Sequence, residues 1–66
     1  MENSSVGAVK SMVLDGVTYF YRMSVVNEGG AWIVYQDDLD ADGKVWNTTP
    51  TFRAASFARA LELSMT

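Results

Sequence analysis

The sequence predicts an α+β fold: an antiparallel β-meander of three to four strands with one C-terminal amphipathic helix packed on one face. Three observations carry this. Residues 9–36 are dense in β-branched and aromatic side chains. Asp15-Gly16 and Asn27-Glu28-Gly29-Gly30 interrupt that stretch with turn chemistry. The chain then changes to an Ala- and Leu-rich segment with helical spacing.

Taken in order, residues 1–7 read as a flexible polar tail, and 8–66 as one small domain. Val9 to Leu14 reads as a strand. Asp15-Gly16 between two apolar runs is a strong hairpin signal, because a type I′ turn needs positive φ at both central residues. Val17 to Val26 is the second strand, and a turn centred on Glu28-Gly29 leads to a third at Ala31 to Gln36. Asp37 to Gly43 reads as an acidic loop, followed by a short fourth strand at Lys44 to Asn47. Thr48 or Thr49 is a candidate helix cap and Pro50 suits a first turn. The helix is expected over Phe52 to Leu63, with Ala54, Phe57, Ala58, Leu61 and Met65 forming its apolar stripe.

Side chains alternate between the two faces of a strand. One face then holds Met12, Leu14, Val17, Tyr19, Tyr21, Met23, Val25, Trp32 and Val34, and this face suits the helix. The other holds Val9, Ser11, Val13, Thr18, Phe20, Arg22, Ser24, Val26, Ile33 and Tyr35. One helix covers one side of a sheet, so apolar residues remain on the second face. Contiguous exposed apolar surface marks a partner site, with Phe20, Arg22, Ile33 and Tyr35 as expected anchors. A symmetric homodimer through that face is one form of it.

The bulk properties narrow the function classes. Sixty-six residues bury only roughly 60% of the unfolded surface. The chain has no cysteine and no histidine, so a disulfide, a thiolate metal site and an imidazole base are all ruled out. Small unstapled domains gain stability from partners. No nucleophile–base pair, phosphate-cradling glycine loop or zinc ligand set is present, and the expectation is a non-enzymatic protein. The longest apolar run is too short to span a bilayer. The acidic opening lacks the basic start of a signal peptide, which makes the cytoplasm the expected location.

The acidic run invites three readings. Asp38, Asp40, Asp42 and Gly43 match the first half of a calcium loop, D-x-D-x-D-G. The position that needs a bidentate Glu is Thr49, so calcium binding is expected to be weak or absent, and no other cofactor is implied. The same positions, with Asp37, also read as turn chemistry or as an acidic contact for a basic partner surface. Single-stranded nucleic acid stacked on the sheet aromatics is a further alternative. The net charge of −3 and the scattered Lys10, Arg22, Lys44, Arg53 and Arg59 disfavour it.

Strands followed by Thr51-Phe52-Arg53-Ala54-Ala55-Ser56-Phe57-Ala58-Arg59-Ala60-Leu61 loosely resemble the partial N-terminal domain of HicB-type antitoxins, over residues 18–63. That resemblance implies a small domain that binds and masks a toxin. The sequence as a whole predicts a protein-binding module, a small regulator or inhibitor acting through an open sheet face, an edge strand or the acidic loop.

Overall fold

The computed structural model describes residues 4–65. Five antiparallel strands form one sheet: β1 (Ser5–Val6), β2 (Lys10–Leu14), β3 (Val17–Glu28), β4 (Ala31–Leu39) and β5 (Val45–Ala54). One helix, α1 (Phe57–Ser64), follows. The sheet order is β1-β3-β4-β5, with β2 also on β3. This is the α+β architecture the sequence predicts, with one additional short strand. Of the residues expected as a tail, 1–3 lie outside the described residues, and Ser5 and Val6 pair with Val25 and Ser24.

β3 is the spine. β1 and β2 share one of its edges and β4 takes the other. The Asp15-Gly16 turn has positive φ at both residues, 51° and 78°, as a two-residue hairpin requires. It sets Leu14 opposite Val17 and Met12 opposite Tyr19, the expected register. The second turn lies one residue later than expected. Gly29 and Gly30 take its positive φ values, 59° and 85°, so Glu28 meets Ala31 and Val25 meets Val34. Glycine adopts this conformation without the Cβ penalty that Glu28 would incur. The pairing moves by two residues, an even number, so every side chain keeps the face assigned to it.

The C-terminal third departs further. Asp37, Asp38 and Leu39 belong to β4, and the loop is confined to Asp40–Lys44. The fourth strand does not stop at Asn47 but continues through Thr48, Thr49 and Pro50 to Ala54. Pro50 therefore sits in an edge strand, where a missing N–H is tolerated, and not in a helix. Ser56 caps the helix, its side chain accepting from the Arg59 backbone N–H at 3.2 Å. The later start rotates the buried stripe: Ala60 is fully buried, Phe57 and Leu61 pack beside it, and Ala58 is exposed.

The core lies between α1 and one end of the sheet. Val25 and Val34 are its largest fully buried side chains, joined by Met23, Ala54 and Ala60. Tyr21, Trp32, Phe57, Leu61 and Leu63 pack around them. The Trp32 and Phe57 rings meet at 5.1 Å and 52°, a tilted aromatic pair. Two bulges shape β5. Thr51 is the extra residue opposite Val34 and Tyr35, and its hydroxyl donates to the Val34 carbonyl at 2.9 Å. Trp46 is the extra residue opposite Asp38 and Leu39. Among the described residues, no helix is long and apolar enough to cross a membrane.

Truncating Val34 to alanine removes two methyl groups from the tightest part of a small core. The Val34→Ala protein should lose about 1.5–3 kcal/mol of stability, read from the midpoint shift in urea. Ser56→Ala should lose about 1 kcal/mol, by the same measurement.

Candidate binding surface

An eight-residue helix is about 12 Å long, and the molecule is 39 Å along its long axis. α1 therefore covers Met23, Val25, Trp32 and Val34, and leaves the rest of its own face open. Beyond the helix, that face presents Leu14, Val17 and Tyr19, all exposed, with Met12 and Tyr21 half-buried. The bulge in β5 brings Trp46 to the same end, 64% exposed. Met12, Leu14, Tyr19, Tyr21 and Trp46 wall a groove of ≈ 240 Å³, with Gln36 and Asp38 among its polar lining.

The groove is apolar and its surroundings are acidic. Asp38 lines it, Asp15 lies in the hairpin turn beside Leu14, and Asp40 and Asp42 sit in the loop at the end of β4. Lys44 is the one basic residue of that loop.

The four aspartates of the acidic run do not converge. Asp37 and Asp38 are neighbours in a strand, so they point to opposite faces. Asp37 is only 7% exposed. Its carboxylate accepts from Arg22 Nε at 3.2 Å and from the Thr48 hydroxyl at 3.1 Å. Arg22, Asp37 and Thr48 are directly opposite one another on β3, β4 and β5, so the bonds form a row across the sheet. Asp38 accepts from Gln36 at 3.0 Å and from Asn47 at 3.0 Å on the other face, and Asn47 also donates to Thr49. These two donors, Gln36 first, hold the Asp38 carboxyl below its ordinary value of 3.8. Asp40 closes the loop: one carboxylate oxygen accepts the backbone N–H groups of Asp42 and Lys44, both at 2.9 Å. Asp42 is exposed and contributes its backbone N–H. Among the described residues no group of three or more metal-ligating side chains comes together.

The face opposite the helix also differs from expectation. Only Phe20 among its four expected anchors is well exposed. Arg22 is held by Asp37, Ile33 is half-buried, and the Tyr35 hydroxyl donates to the Glu28 carboxylate. That bond holds the Tyr35 pKa above its ordinary 10.0, because it stabilises the protonated phenol. Polar pairs occupy part of this face, which still exposes Val13, Phe20 and Val26, and a second exposed apolar group, Leu14, Val17 and Tyr19, lies beyond the end of the helix on the first face. Leu14, Val17, Tyr19 and Trp46 were not among the expected protein-binding anchors. Their signal lies in strand length: the ten-residue strand expected at Val17 to Val26 outreaches the twelve-residue helix expected at Phe52 to Leu63. Trp46 carries no such signal, since its aim depends on a bulge.

Arg22 is paired with Asp37, and Arg59 with Glu62 at 3.0 Å. Compared with protein-family models, curated proteins and solved structures, the chain matches none of them.

Replacing Arg22 with methionine leaves the Asp37 carboxylate buried with one donor. Arg22→Met should cost about 1–3 kcal/mol in urea unfolding, more than an exposed surface change. Asp38 has a depressed pKa in the folded state, so its contribution to stability is present above the unfolded value and falls away as the pH drops through the folded one. An NMR titration of the Asp38 carboxyl should give a midpoint below 3.8. Gln36→Ala should move that midpoint up towards the ordinary value.

Proposed function

We propose that the chain is a non-enzymatic, cytoplasmic protein-binding module, a small regulator that works by masking a surface of its partner. One observation carries this: the apolar groove that α1 leaves uncovered, walled by Leu14, Tyr19 and Trp46. Tyr and Trp give large contact area at low entropic cost and dominate interface energetics. Leaving this group in water costs the free protein stability, which a bound partner restores.

The rim selects the partner's chemistry. Asp15, Asp38, Asp40 and Asp42 outnumber Lys44 at this end. A segment with an apolar anchor flanked by Lys or Arg meets both features: the anchor fills the groove, and the basic residues face the aspartates. Such charges lie at an exposed rim, so they act mainly on encounter rate and fade with salt.

Affinity capture from native lysate tests the proposal, with wild type beside Trp46→Ala and Tyr19→Ser. Both substitutions are on exposed side chains and should leave the far-UV circular dichroism unchanged. The expected result is a protein retained by wild type at low salt and lost with either variant. Equal recovery of the same proteins by all three baits would overturn the assignment of this groove.

A further inference from the structure

The two long edges of the sheet are protected to different degrees. The β5 edge carries Pro50, which has no N–H, and bulges at Trp46 and Thr51 that interrupt its row of backbone groups. β2 has none of these devices. Lys10–Leu14 runs five residues in regular register, without proline, glycine or bulge. The turn at Asp15-Gly16 determines which of its backbone groups are free. In a two-residue hairpin the residues flanking the turn exchange both backbone hydrogen bonds, and the pattern alternates from there. Leu14, Met12 and Lys10 thus bond inward to β3. The N–H and C=O groups of Ser11 and Val13 point away from the sheet.

We infer that β2 pairs antiparallel with β2 of a second copy, about a two-fold axis at Met12. Three features of the chain fit this occupant. First, the strand complements itself. Ser11 of one copy meets Val13 of the other, and all four outward groups on each strand find partners. Lys10 meets Leu14 and not a second Lys10, so no like charges are opposed. Second, the axis reverses the long direction of the molecule. Lys10, Leu61 and Met65 line one hollow of ≈ 260 Å³ at the helix-covered end. Pairing Lys10 of one copy with Leu14 of the other therefore brings Met65, 74% exposed, alongside Leu14 and Val17, two exposed residues beyond the other copy's helix. Each copy covers apolar surface that the other leaves in water. Third, a chain whose largest fully buried side chains, among the described residues, are two valines benefits from added burial. The contact shares Met12 and Leu14 with the groove proposed above but does not use Trp46, so Trp46→Ala separates the two proposals, and the two grooves end on the same face of one continuous sheet.

Cysteine cross-linking provides the test, since the natural chain has no cysteine. Opposed residues of this kind have Cα atoms about 4.5 Å apart, within reach of a disulfide. Under mild oxidation Met12→Cys should give a disulfide-linked dimer, and Val45→Cys on the other edge should remain a monomer. In sedimentation, wild type and Trp46→Ala should dimerise with rising concentration. Val13→Pro, which removes an outward N–H and none of the inward bonds, should stay monomeric with unchanged circular dichroism. A wild type that is monomeric at every concentration would overturn the inference. Equal cross-linking at positions 12 and 45, or a dimeric Val13→Pro protein, would do the same. If Val13→Pro does not fold, the cross-linking comparison decides.

Discussion

A twelve-residue strand extends to about 40 Å, and the eight residues of α1 reach about 12 Å. Most of this molecule's character follows from that mismatch. A sheet needs cover on at least one face to bury apolar side chains, and β3 is far longer than α1, which supplies that cover. The chain consequently has a dense core at one end, built on Val25 and Val34, and an uncovered apolar surface at the other. The same residue pattern runs through both ends. Only the helix differs.

The sheet compensates with polar rows in place of a second layer. Arg22, Asp37 and Thr48 join three strands on one face, and Gln36, Asp38, Asn47 and Thr49 join two on the other. Every buried side-chain nitrogen and oxygen among the described residues has a partner, which matters because an unpartnered one costs about 1–3 kcal/mol. The acidic run contributes mainly to this architecture. Two of its aspartates tie strands together, and Asp40 ties down a loop. Their negative charge nevertheless remains at the end where the apolar groove opens, and the proposed partner chemistry rests on that coincidence.

The groove itself was only partly legible in the sequence. Its floor, Met12, Tyr19 and Tyr21, was correctly placed on the helix side of the sheet but expected to be covered. The face opposite was expected to supply the anchors, because alternation leaves Phe20, Ile33 and Tyr35 there. Alternation does not reveal that Arg22 and Tyr35 have carboxylates within reach. Nor does it show how far a helix extends along its sheet. Trp46 reaches the groove through a bulge, a local excess of one residue that composition does not announce.

Local chemistry alone determined the order of strands before helix, the Asp15-Gly16 turn and the division of side chains between faces. Positive φ demands particular residues, and the period of two holds wherever a strand runs. The second turn moved by one residue and the pairing by two, and the face assignment survived because two is even. Tertiary structure decided where the last strand ends and the helix begins. Thr48, Thr49 and Pro50 suit a helix start by local preference, yet pairing with β4 offers the backbone hydrogen bonds from Val45 to Ala54 and two polar ties to aspartates. Those non-local bonds outweigh a local preference of about 1 kcal/mol. They shorten the helix, and with it the cover over the sheet.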